Sequence, residues 1–222
     1  MYVKSLKLVL CVTACTLLQA ASQWLAAAEL QVTVLQAQGA AVTGAVIDVQ
    51  PHSPQAPAQQ SARAVMDQRD LMFVPDTLAV RTGTTVEFPN NDNVRHQVYS
   101  FSAPKNFQLS LYDNRQRASV TFDKPGLVTV GCNIHDAMIG YIYVTDSPWF
   151  GLTGADGSVL MHNLPTGRYV VKVWHPRLRD KPESLNQTLD LSSAGGMVTI
   201  RLNQPLKPAQ HNHGAAKQWE DY

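Results

Sequence analysis

Residues 126–144, Gly-Leu-Val-Thr-Val-Gly-Cys-Asn-Ile-His-Asp-Ala-Met-Ile-Gly-Tyr-Ile-Tyr-Val, constrain this chain more than any other stretch. They read as an apolar strand, a tight loop and a second apolar strand. Side chains alternate along a strand, so Val128, Val130 and Cys132 share one face and the thiol enters from inside a sandwich. The loop adds His135 and Met138, which puts a thiol, an imidazole and a thioether within seven residues. Soft thiolate and thioether donors hold Cu(I), and thiolate with imidazole also holds Cu(II), so the set suits copper. A second imidazole is offered upstream by His96, in Asn-Val-Arg-His-Gln-Val-Tyr-Ser.

Taken together, His96, Cys132 and His135 supply a trigonal plane and Met138 a weak axial ligand, the donor set of a blue-copper electron-transfer site. A lone Cys or Met in a sandwich is ordinarily core filler. Four donors in this order, between strands, point instead to a metal. Zinc accepts Cys and His but has little use for a thioether, so Met138 argues against it.

Residues 64–147 resemble a cupredoxin, in which one His comes early and Cys, His and Met close the site on a late loop. The Cys-x-x-His-x-x-Met spacing is most similar to amicyanin-like and plastocyanin-like cupredoxins, including those labelled as methylamine-utilisation proteins. The resemblance implies an all-β Greek-key sandwich and one type 1 copper held by His96, Cys132, His135 and Met138. It also implies a redox partner protein, a dehydrogenase or a cytochrome. Four protein ligands leave no open position, so the chain is not expected to be an enzyme. There are two departures. Gln97 follows the first His where many cupredoxins have Asn, and Asp136 follows the second where related loops often carry Pro. Neither removes a ligand.

Residues 1–28 read as a signal peptide, with Lys4 and Lys7, an apolar run from Leu8 to Leu18, and Ala26-Ala27-Ala28 before Glu29. The run is interrupted by Gln19 and is too short for a membrane span. Val12-Thr13-Ala14-Cys15 loosely resembles a lipoprotein cleavage box and ranks second. A cut after Ala28 removes Cys11 and Cys15 and leaves Cys132 alone. An unpaired Cys in the periplasm or another oxidising compartment is a liability unless a metal protects it. Of 18 basic and 17 acidic residues the cut removes two lysines and no acid, leaving 16 basic. A nearly neutral chain implies no nucleic-acid partner.

The remainder reads as β structure. Residues 29–52 carry a hairpin-like pair of alternating strands around Gln38-Gly39. Residues 53–63, rich in Pro, Gln, Ala and Ser, form a linker. Within 64–147, His96 is expected to open a strand and residues 103–117 to form a polar loop. Strands are expected at Ser158–His162, Arg168–Trp174, Asn186–Leu191 and Met197–Leu202, and 204–222 reads as a disordered tail containing His211 and His213. Thr153-Gly-Ala-Asp-Gly157, Leu164-Pro-Thr-Gly167 and Tyr169 resemble the regulatory sandwich found beside carboxypeptidases, assigned to 148–203. Gly39-Ala-Ala-Val-Thr-Gly-Ala45 resembles that family's N-terminal signature. The cupredoxin is then an insertion in a split sandwich. Besides periplasmic electron transfer, the donor set admits a copper carrier or sensor, and the architecture admits an exported scaffold without redox activity.

Overall fold

Apolar and polar residues alternate along most of the chain with the period of a pleated strand, and almost every such segment forms one. The computed structural model describes residues 27–53 and 62–209. Outside the described residues fall the expected signal peptide up to residue 26, positions 54–61 of the linker, and positions 210–222 of the tail with His211 and His213.

In chain order the strands are β1 (Ala27–Leu35), β2 (Val46–Pro51), β3 (Arg63–Val65), β4 (Asp67–Arg69), β5 (Met72–Val74) and β6 (Thr77–Arg81). Then come β7 (Thr84–Phe88), β8 (Tyr99–Ser102), β9 (Lys105–Gln108), β10 (Ala118–Phe122), β11 (Gly126–Cys132) and β12 (His135–Thr145). The last are β13 (Trp149–Leu152), β14 (Ser158–Pro165), β15 (Gly167–Trp174), β16 (Gln187–Leu191) and β17 (Gly196–Arg201). The one helical element among the described residues is a 3-10 turn, Pro182–Leu185. The chain is all-β, consistent with a cupredoxin-like sandwich.

One set of sheets uses residues 63–145. A five-stranded sheet runs β6-β12-β11-β8-β9 and a three-stranded sheet runs β10-β7-β3, with the hairpin β4-β5 beside them. Their shared core includes Phe73, Val86, Phe88, Val98, Phe122, Val128, Val130 and Ile142, all buried, together with Cys132 and Met138. Burying one such large apolar side chain contributes about 1.5–3 kcal/mol. Gly140 of β12 faces Phe73. A Cβ there would lie 3.0 Å from the ring, so the strand comes close only because that side chain is absent.

The second set combines both ends of the described chain. β1 lies between β14 and β17, and β2 lies between β13 and β15, with β16 outermost. Leu30, Val32 and Val34 of β1 join Ile47, Val49, Val171 and Ile200 in a separate core. β1 begins at Ala27, and Ala28 is buried in that core.

Three expectations need correction. Residues 30–50 do not form a hairpin: β1 and β2 pair antiparallel or parallel with later strands and lie in different sheets. The Gln36–Gly39 turn reverses the chain only as far as a single bridge, Leu35 to Ala41, before it crosses to the other sheet. Residues 103–117 are not wholly loop, because β9 forms a hairpin on β8 and buries part of Phe107. Finally, His96 precedes its strand; it sits in an isolated bridge with Tyr112.

Along β12, Met138, Gly140 and Ile142 face the core while Ile139, Tyr141 and Tyr143 face the other way. Trp174 of β15 packs against this outer row, with ring centroids 5.4 Å from Tyr141 and 6.3 Å from Tyr143. Asp48 of β2 is buried beside them. It accepts hydrogen bonds from Thr145 Oγ1 at 2.9 Å, Tyr143 OH at 3.1 Å and Gln50 Nε2 at 2.9 and 3.0 Å. Four hydrogen bonds from neutral donors thus compensate the buried carboxylate and tie the two sets of sheets together.

Candidate metal centre

The β11–β12 turn is short. Regular pairing reaches Gly131 opposite Ile139, then the register shifts so that Cys132 lies opposite His135. Such an irregularity re-aims side chains at a strand end. Here it brings the imidazole back over the thiol: His135 Nδ1 lies 3.6 Å from Cys132 Sγ. Gly131 permits the close approach of Tyr99, whose ring would stand 3.1 Å from a Cβ at that position.

His96 arrives from the other direction, on the segment leading into β8. Its backbone N–H and carbonyl both bond Tyr112, at 3.0 and 2.9 Å, so the residue is held on two sides. Its Nδ1 lies 3.7 Å from Cys132 Sγ, and the two imidazole rings are 4.9 Å apart with a 59° tilt. The three donor atoms all lie within 4.8 Å of one another. His96 is fully buried, Cys132 nearly so, and His135 is half-buried.

These separations can be tested against a bound metal. With metal–sulfur and metal–nitrogen bonds of about 2.3 and 2.0–2.1 Å, a tetrahedral to trigonal angle places sulfur and nitrogen about 3.6–3.8 Å apart. The two observed sulfur–nitrogen distances fall in that window, so each imidazole is placed to share an ion with the thiol. Met138 is buried in the same core as Cys132, three residues beyond His135.

The surroundings prepare each donor. His96 Nε2 bonds Asp92 Oδ2 at 3.0 Å. An ionised carboxylate can only accept, so the Nε2 carries the proton and Nδ1 turns its lone pair towards the thiol. Burial opposes ionisation of Asp92. The Leu71 N–H, His96 and the Asn93 N–H outweigh it, holding the carboxyl below its usual range. The Asp92 loop is fixed in turn by Asn90, whose Nδ2 donates to Val94 O at 2.8 Å and whose Oδ1 accepts from Asp92 N at 2.9 Å. Burial lowers the His135 pKa, helped by the neighbouring His96 and opposed by Asp92, so the neutral ligand form is favoured. The backbone N–H of Gln97 points at Cys132 Sγ from 3.5 Å.

The structure therefore brings His96, Cys132 and His135 together. Gln97 sends its side chain to Leu109 O at 2.8 Å and away from the Cys132 loop, while its main chain serves the sulfur. Asp136 is exposed next to His135. Asp92 is a site residue that sequence pattern places only in a loop. Its signal is the four-residue spacing to His96, which looks like an ordinary Asn/Asp turn until the chain closes.

No family model and no curated protein sequence matches the chain. Among solved structures, a purple cupredoxin from Nitrosopumilus maritimus is similar at 22% identity over 38% of this chain and 100% of its own, with a TM-score of 0.34. Amicyanin in a reduced Cu(I) form is similar at 24% identity over 44% of this chain and 97% of its own, with a TM-score of 0.35. A copper-containing nitrite reductase from Thermus scotoductus is similar at 29% identity over 43% of this chain and 25% of its own, with a TM-score of 0.35.

Proposed function

We propose that this chain is an exported electron-transfer protein that holds one type 1 copper through His96, Cys132 and His135, with Met138 as the axial donor. The observation that carries the reading is the buried thiol with an imidazole Nδ1 at 3.6 Å on one side and another at 3.7 Å on the other. Bound there, copper would supply a one-electron couple whose two oxidation states suit the same soft and borderline donors.

The protein's part is to keep those donors still. His96 is oriented by Asp92 and pinned by Tyr112, Cys132 ends a paired strand, and His135 begins the next. Donors held in this way need little rearrangement between oxidation states, which suits electron transfer better than substrate chemistry. The half-buried edge of His135, beside exposed Ile134 and Asp136, is the proposed docking point for a redox partner, a dehydrogenase or a cytochrome. The division of labour we infer is a copper domain over 64–147 inserted in a sandwich built from 29–52 and 148–203.

The test is to load the full chain with one equivalent of copper and cycle it between oxidised and reduced states in the presence of a Cu(I) chelator. Electron transfer requires repeated reversible cycling with copper retained. Loss of copper to the chelator in the first reduced state would instead assign the site to metal delivery.

A further inference from the structure

A second constellation lies on the outer face of β12, away from the thiol and imidazoles. There an open cleft of about 690 Å³ separates Ile139 and Tyr141 from the turn that follows β15. Arg177, Arg179 and Lys207 line it, and none of the three forms an ion pair among the described residues. The acid on the cleft wall is Asp76, which lies beyond ion-pair distance of all three. Asp180, which directly follows Arg179, is buried and already accepts the Asn203 and Gln204 N–H groups at 3.1 and 3.3 Å.

The cations are held in place by the backbone. Leu178 N–H closes the turn on His175 O at 3.0 Å, and Arg177 N–H donates to His175 Nδ1 at 3.1 Å. Lys207 N–H donates to Arg177 O at 2.8 Å, which brings the end of the described chain alongside. Burial lowers the His175 pKa, Arg177 adds to the effect and Asp76 opposes it, and Nδ1 accepts from the turn. Arg177 Nε is buried without a hydrogen-bond partner among the described residues. An unpaired guanidinium N–H away from water is costly, and a carboxylate or phosphate oxygen is its natural complement.

We propose that this cleft binds a small organic oxyanion, with a carboxylate or phosphate group on Arg177, Arg179 and Lys207 and an apolar body against Ile139 and Tyr141. The volume is that of a small-molecule site and exceeds what a bare inorganic anion fills. Planar guanidinium forks grip such groups bidentately, and the ammonium of Lys207 adds a point charge. The proposal goes beyond the copper reading and does not depend on it.

The test titrates the copper-free full chain with benzoate, phenyl phosphate, inorganic phosphate and benzyl alcohol, following Arg177 Nε–H and the Tyr141 ring by NMR. Saturable shifts are expected with benzoate or phenyl phosphate, with benzyl alcohol silent and inorganic phosphate at least several-fold weaker. Removing one charge-assisted hydrogen bond weakens binding by roughly tenfold. Arg177→Gln with Arg179→Gln should therefore weaken the organic anion at least tenfold at unchanged circular dichroism. Should that pair fail to fold, Lys207→Gln and Arg179→Gln, singly and at exposed positions, should each weaken binding severalfold. The proposal is overturned if no probe saturates, if benzyl alcohol binds as well as benzoate, if inorganic phosphate equals phenyl phosphate, or if the folded variants bind undiminished.

Discussion

Asp92→Asn removes one negative charge from behind a proposed copper ligand while leaving an acceptor for His96 Nε2–H. The bonded atoms are 3.0 Å apart. Crossing the imidazole ring and a metal–nitrogen bond of about 2 Å puts the carboxylate roughly 7 Å from the metal. At that separation one unit of charge is worth about 0.6 kcal/mol at a dielectric near 80 and about 2.4 kcal/mol near 20. The Asp92 side chain is only 13% exposed, so the larger figure is the closer guide. For a one-electron couple 59 mV corresponds to about 1.4 kcal/mol, so the change spans about 25–100 mV. The sign follows from charge: the carboxylate stabilises Cu(II) over Cu(I), and its loss raises the potential. The assay is voltammetry on wild-type and Asp92→Asn protein, both copper-loaded and both coloured. A potential that stays fixed or falls, with colour intact, would refute the argued role of Asp92.

Four further outcomes are expected. Cys132→Ser should abolish the visible band of the Cu(II) protein, whereas Met138→Leu, a volume-conserving change at a buried position, should keep the band, move the potential and cost under about 1.5 kcal/mol in denaturant titration. Asp48→Ala strands the Tyr143 and Thr145 hydroxyls and leaves the Gln50 amide only Thr145 Oγ1 as acceptor, and should cost roughly 2–4 kcal/mol, with calorimetry resolving two transitions as the sheet systems uncouple. Because the His175 pKa is lowered in the folded protein, the unfolded chain binds more protons below its ordinary value near 6.5. Stability should therefore fall as pH drops through that value and level off below the folded pKa, and urea titrations of His175→Gln should lose that part of the slope.

The strands of the sheets around Cys132 were legible because burial on one face imposes a period of two. Val86, Phe88, Val128 and Val130 show it plainly, and all four are buried. The Cys132–His135 approach was legible too, since a short turn between paired strands leaves the intervening residues little freedom. What escaped was set by pairings distant in sequence. β1 and β2 look like a hairpin because each alternates and a Gly turn separates them, yet their partners lie a hundred residues or more away. Asp92 and Gln97 act through geometry that exists only once β5, β8 and the Cys132 loop have met. The basic cleft, likewise, joins residues 139–141 to 175–207 across two sheet systems.

The central claim is that His96, Cys132, His135 and Met138 form one type 1 copper site, and titration of the full chain with Cu(II) followed by visible absorption tests it most directly. An intense band should grow linearly and stop at one copper per chain, and zinc should not displace it. Cu(II) bound without colour, or a preference for zinc, would contradict the assignment.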